Sequence, residues 1–322
     1  MNDQAAVVEE LPPEVHPLRE RWNLFRRNRA ALASFFFLLF LFGVALTGLL
    51  LTRGTAPVID PTTVRLTQKL LPPLSPYDPE VVAPEDAPPF GLYLLGTDDF
   101  GRDLFARMLQ GSFVSLTIGF VAVGISITVG IFFGGLAGYY GRIKLGFLTV
   151  DTLIMRFVDI MLCFPTFFLI LTVVALLPPS IYNIMIIIGL TSWMQTARFV
   201  RAEFLALRDQ DFVLAARSQA IPEWRIIFLH MVPNALAPVL VSATIGVATA
   251  ILTESALSYL GFGVQPPDAT WGNILADGRA FVFDAPWLMF IPGFTILFVV
   301  LAFNLCGEGL REAFNPKLRE NR

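Results

Sequence analysis

Long apolar runs alternating with shorter polar stretches dominate this chain. Six runs are long enough to cross a bilayer, at about 30–51, 113–140, 154–177, 182–199, 235–261 and 287–306. A helix needs about 20 predominantly apolar residues to span the hydrocarbon layer. The pattern therefore predicts an all-α membrane protein with six transmembrane helices. Its parts are a tail at 1–29, a first span at 30–51 and a proline-rich loop at 52–96, then a core of five spans at 97–310 and a closing tail at 311–322.

Two polar segments interrupt this pattern with periodicities of their own. LGTDDFGRDLFARMLQG places Phe100, Leu104, Phe105 and Met108 on one helical face, with Thr97 or Asp98 as the cap and Asp103 and Arg107 spaced as an i,i+4 pair. This predicts an amphipathic helix on the membrane surface ahead of the second span. The stretch FVLAARSQAIPEWRIIFLHMVPN predicts a short helix capped by Asp209 or Asp211, then a break at Ala220 and Ile221. Pro222 suits the start of a second helix, in which Trp224, Ile227, Phe228 and Met231 form an apolar stripe. Pro233 is expected to end that helix, and Asn234 to cap the next span. Periodicity leaves two readings open. The insert is a hairpin resting on headgroups, or a knob of small residues seated in a groove of a partner.

Charge orients the spans. Basic residues collect in cytoplasmic connections. The tail before the first span holds Arg19, Arg21, Arg26, Arg27 and Arg29, and the segment with the insert holds Arg198, Arg201, Arg208, Arg217 and Arg225. Both termini and the insert are thus expected in the cytoplasm, and 52–96 and 262–286 outside, in a multi-pass membrane protein. The first run is too long for the core of a cleaved leader and reads as a retained span. LPPLSPYDPEVVAPEDAPPF is too rich in proline for helix or central strand and reads as an extended surface linker.

Composition agrees and narrows the chemistry. The chain of 322 residues is 55% hydrophobic and only 15% charged, with a mean hydropathy of +0.65. Soluble domains carry about 25% charged residues. A net charge of -3 gives no reason to expect a nucleic-acid partner. Cys163 and Cys306 lack neighbours at metal-ligand spacing and read as inert thiols. Phosphate-loop, HExxH and GxSxG patterns are absent. The expectation is a chain that is not an enzyme and binds no cofactor, so uphill work would draw on other chains.

Few ionisable groups lie at membrane depth, and each is a functional candidate. Glu254 falls about 10 Å inside the outer end of its span at 1.5 Å per residue. It either lines a path or binds a neighbouring helix. Arg156 and Asp159 are spaced as a structural pair, and Gly130, Gly134 and Gly138 leave one face bare for close helix packing. In the outer loop GVQPPDATWGN, Gln265, Trp271 and Asn273 are the residues best suited to an external contact.

The insert resembles the cytoplasmic loop of ATP-binding-cassette importer permeases, whose pattern is Glu-Ala-Ala, three residues, then Gly. Ala215 and Ala216 match the paired alanines, while Leu214 replaces the Glu and Ala220 the Gly. LGTDDFGRDLFARMLQG, GLTSWMQTARFVRAEFLALRDQDFV, SYLGFGVQPPDATWGNILADGR and FNLCGEGLREAFNPKLR resemble one subgroup. It is the second permease subunit of dipeptide and oligopeptide importers, which also includes nickel importers. The resemblance implies a type I ABC importer permease fold. It also implies a second homologous permease, two cytoplasmic ATPase subunits holding ATP and Mg, and an extracytoplasmic binding protein. It implies that Ala215, Ala216, Ala220, Ile221 and Pro222 couple the ATPases to the permease. An ATP-independent channel or secondary transporter, or a membrane scaffold, are the competing classes.

Overall fold

The computed structural model describes residues 17–54, 57–83, 87–88 and 91–314. The described residues are mostly helical. In chain order the helices are α1 (Pro17–Arg27), α2 (Arg29–Thr52), α3 (Leu104–Tyr139), α4 (Val150–Leu162), α5 (Thr166–Leu176), α6 (Ile181–Arg208), α7 (Asp211–Ser218), α8 (Glu223–Arg225), α9 (Val232–Tyr259), α10 (Trp271–Asp277) and α11 (Trp287–Phe314). Two small antiparallel ladders complete the set. Ser75–Pro76 (β1) pairs with Leu92–Tyr93 (β2), and Lys144–Leu145 (β3) with Leu148–Thr149 (β4).

Among the described residues, four helices are long and apolar enough to cross a membrane: α2, α3, α11 and the continuous segment Glu223–Tyr259. A fifth crossing is formed if α4 and α5 count as one span, bent by 82°. The bend falls at Pro165, which lacks an N–H and pushes Phe164 out of the helical region. The run at 154–177 is therefore a broken element and not one straight helix.

The predicted surface helix before the second span is not separate. It forms the first turns of α3, whose 36 residues make it about 54 Å long at 1.5 Å per residue. Asp103 caps this helix in place of Thr97 or Asp98, its carboxylate accepting from Phe105 N at 2.8 Å.

α3 lies along α6 at backbone range because of the glycine face. A Cβ on Gly130 would stand 2.6 Å from the Thr196 side chain. One on Gly134 would meet Ala197 O at 2.5 Å, and one on Gly138 would meet Phe204 Cβ at 2.5 Å. Charges cross between helices as well. Arg201 makes a two-pronged contact with Asp151, with Nη2 to Oδ2 at 2.6 Å, and Arg198 pairs with Asp159. The expected Arg156–Asp159 pair within α4 is not formed, because α6 presents a guanidinium to Asp159.

Candidate functional site

A cavity of about 640 Å³ opens between α3, the α4–α5 bend, α6 and α9. Polar side chains reach it from every wall: Ser126 from α3, Thr166 from α5, Ser192 and Gln195 from α6, Thr249 and Thr253 from α9. None of its lining residues is charged. Several hydroxyl protons are already committed to the parent helix. Ser192 donates to Ile188 O at 2.6 Å, Thr249 to Ile245 O at 3.0 Å and Thr253 to Thr249 O at 2.8 Å. Their oxygens keep lone pairs for an N–H donor in the cavity. These residues were not singled out from the sequence, where they read as scattered polar positions. The signal was the polar cluster T-S-W-M-Q-T inside the fourth run.

Glu254 does not line this cavity. It is fully buried, accepts from Ser258 Oγ at 2.7 Å and has the side chains of Ser255 and Thr270 beside it. Thr270 begins α10, so the carboxyl sits where α9 supports the outer segment.

That segment is built inward. Thr270 and Asn273 form a reciprocal capping box: Thr270 N donates to Asn273 Oδ1 at 2.9 Å and Asn273 N to Thr270 Oγ1 at 3.1 Å. Asn273 also donates to Asp268 O at 2.9 Å, and Trp271 is fully buried, its backbone amide donating to Ser115 Oγ of α3 at 3.2 Å. Of the three proposed external contacts only Gln265 is exposed, and its amide folds back onto Gly261 O at 3.1 Å.

An ion cluster ties the same segment to the start of α3. Arg107 bridges Asp98 at 2.6 Å and Asp277 at 2.9 Å. Asp98 is fully buried and also accepts from Arg102 Nε at 2.6 Å and from the amides of Phe100 and Arg102. Arg107 therefore reaches Asp98 and Asp277 and not Asp103, the i−4 partner its spacing suggested. Gly101 makes this tight turn possible, since at φ +71° a Cβ there would lie 1.8 Å from Arg65 O. Burial pushes the Asp103 carboxyl up to about 6, against the amides of Phe105 and Ala106 that favour its charged form. Asp99 is raised by burial and by its carboxylate neighbours Asp98 and Asp277.

At the other end of α3 lies the insert. α7 ends in a two-bond turn: Ala220 N donates to Arg217 O at 2.9 Å and Ile221 N to Ala216 O at 3.2 Å. This is a Schellman motif, which places its C′ residue in the left-handed region. That residue is Ala220, with φ +54°. Gln210, without a side-chain bond, stands at the N-cap of α7 in place of Asp209 or Asp211.

Beyond Pro222 the helix does not stop at Pro233. α8 runs through a π-helical stretch at Ile226–Met231 directly into α9. The wider turn accommodates a proline ring that would strike the carbonyl four residues back. It also changes the stripe: Ile226 and Met231 are buried, while Trp224 and Phe228 are 57% and 62% exposed. Ala216 packs with Val213, Phe204 and Ile226 under the turn, whereas Ala215, Ala220 and Pro222 are exposed and Ile221 is half-buried. Tyr140 at the end of α3 donates to Glu223 Oε2 at 2.8 Å, and Arg217 lies over the Tyr139 ring at 5.0 Å. The insert is thereby joined to the helix that also walls the cavity.

This arrangement has known counterparts. Residues 126–320 match the family described as binding-protein-dependent transport system inner membrane component. The chain is 38% identical over 313 residues to a dipeptide transport system permease, DppC, of Alkalihalophilus pseudofirmus, covering 96% of this chain and 94% of that one. It is 39% identical to DppC of Haemophilus influenzae, covering 94% and 96%. An oligopeptide transport system permease, OppC, of Bacillus subtilis is 37% identical over 73% of this chain and 75% of its own. Among solved structures, an inward-facing MetNI methionine ABC transporter superposes with a TM-score of 0.50 at 17% identity, over 64% of this chain and 96% of that one, which shows a shared fold. A helical membrane core that resembles an importer permease, in a chain close to these permeases along nearly its whole length, is one of the inner-membrane components of binding-protein-dependent transport systems.

Proposed function

We propose that this chain is one of two permease subunits of an ATP-driven importer for short peptides, moving them inward across a bacterial inner membrane. The observation that carries the reading is the neutral cavity of about 640 Å³, whose hydroxyl oxygens remain open to N–H donors. A peptide brings such a donor at every residue except proline, whatever its other side chains. A lining without charge holds them weakly, as a path must. The permeases of Alkalihalophilus pseudofirmus and Haemophilus influenzae, named for dipeptide transport, support the same substrate class.

In this reading α6, fourth in chain order, brings the spans to six. At 28 residues it is long enough, and the polar residues it lends to the cavity lower its apolar content. Both termini and the insert lie in the cytoplasm, consistent with their arginines. Two ATPase chains there hold ATP and Mg, a homologous permease completes the path, and a binding protein delivers substrate outside.

Ala215, Ala220, Ile221 and Pro222 meet an ATPase, and Ala216 holds the turn from beneath. Through Tyr139 and Tyr140 the insert pulls on α3 and hence on the cavity wall. Glu254 positions the outer gate, while Gln265 is its external contact and Trp271 and Asn273 keep its shape.

The test is Ala215→Glu in the assembled importer, since this exposed alanine can change without disturbing packing. Membrane levels are expected to match wild type, while peptide-stimulated ATP hydrolysis and uptake of a labelled dipeptide fall at least tenfold. Wild-type uptake by this variant would overturn the coupling role. Uptake by the purified chain without ATPases would instead favour a channel.

A further inference from the structure

The helix ahead of the first span is docked, and its exposed side is strongly basic. α1 does not continue into α2: Asn28 is extended, at φ -81° and ψ 99°, and its side chain caps α2 through Ala31 N at 3.0 Å. Phe25 is buried beside Ala31 and against Gly309 of α11. Trp22 stacks on Phe25 with ring centres 5.7 Å apart, and the Arg21 guanidinium lies 4.9 Å from the Phe314 ring centre. Asn28 donates to Glu312 Oε2 at 3.0 Å, fastening the bend to α11 a second time.

What remains outward is Arg19, Arg26, Arg27 and Arg29, all exposed and with no ion pair among the described residues. Among the described side chains, the acidic groups near this end are Glu308 and Glu312 on α11. They are outnumbered by Arg19, Arg21, Arg26, Arg27, Arg29 and Arg311. Directly beyond the bend, Phe36, Leu39 and Phe40 of α2 are 56%, 58% and 67% exposed. The basic surface is thus continuous with an apolar one of the kind that faces lipid. Trp22, 43% exposed, sets its ring against Phe25 of α1 and, 6.0 Å away, Phe35 of α2, and tryptophans gather at headgroup depth.

We propose that α1 and the start of α2 form a binding surface for anionic phospholipid headgroups, with Arg26, Arg27 and Arg29 contacting the phosphates. A membrane span ending at this bend holds the arginines at headgroup level, where long basic side chains reach outward from an apolar base. The proposal rests on reading α2 as a span and is independent of which solute the cavity carries.

The importer would be placed in nanodiscs of phosphatidylcholine with phosphatidylglycerol and then extracted in mild detergent. Retained lipid is measured by native mass spectrometry for wild type and for Arg26→Gln/Arg27→Gln/Arg29→Gln. Phosphatidylglycerol should be enriched over its bulk share in wild type. Each arginine near an anionic surface contributes about a fivefold preference, so the triple variant should lose at least that much. Raising salt from about 0.1 M to about 1 M should weaken wild-type enrichment, because the Debye length falls about threefold. Equal enrichment in both proteins, or none in wild type, overturns the proposal. Loss of the ATPase chains from the variant with lipid retention unchanged also overturns it, assigning the surface to a protein partner. Transport of a solute other than peptide would refute the functional reading and leave this one standing.

Discussion

Replacing Ala220 by glycine should stabilise the protein. Ala220 holds φ +54° at the end of α7, where the Cβ of an L-residue crowds the following carbonyl at a cost of about 1–2 kcal/mol. The side chain is exposed, so removing it forfeits little packing. Both closing bonds, from Ala220 N and Ile221 N, use backbone atoms and survive the change. Against the gain stands the greater freedom of glycine in the unfolded chain, about 0.4–1 kcal/mol. The difference leaves about 0–1.6 kcal/mol, about 0.8 at mid-range, in favour of Ala220→Gly. Valine at the same position should lose stability, because a β-branched residue is poorly tolerated at positive φ. Thermal unfolding of the detergent-purified protein, followed by light scattering and tryptophan fluorescence, reads both changes. A lower midpoint for Ala220→Gly, or an unchanged one for Ala220→Val, would refute the strain argument.

Three further outcomes follow from the same geometry. Arg107→Ala strips buried Asp98 of one of its two guanidinium partners, and breaking such a pair costs about 3–5 kcal/mol; denaturation midpoints should fall, and Asp98→Asn added to Arg107→Leu should recover part of the loss. Asp103, with a folded-state value of about 6 against an ordinary 3.8, favours its protonated form in the fold, so its stabilising contribution is complete below about pH 4 and lost as pH rises through about 6. Asp103→Asn keeps an N-cap acceptor without the charge, so its advantage over wild type should grow to about 1–3 kcal/mol between pH 4 and pH 7.5. A constant difference between those melting curves would count against it. Gly134→Val drives a side chain into Ala197 and Val200 of α6 and should cost about 1–3 kcal/mol, seen as reduced membrane yield and a lower melting temperature.

Sequence alone determined the helical membrane character, the positions of the apolar runs and the small-residue face of α3. It also located the break at Ala220 and Ile221. All of these depend on local periodicity, on turn stereochemistry or on the length needed to span hydrocarbon, which a single chain states directly. The family resemblance was legible too, because its motifs lie in order along the chain.

Tertiary structure decided which polar groups meet. Asp159 turns to Arg198 of α6, and Arg107 passes over Asp103 to reach Asp277 of α10 and Asp98, which the turn at Gly101 brings back onto α3. Ser192, Gln195 and Thr253 became cavity residues only when α3, α5, α6 and α9 were set around one space. Trp271 and Asn273 looked suited to contact outside and are turned inward by a capping box and by Ser115. In a protein whose helices are apolar on most sides, hydropathy cannot distinguish a face toward lipid from one toward a cavity or a neighbouring helix. Only the packing of one helix on another separates them.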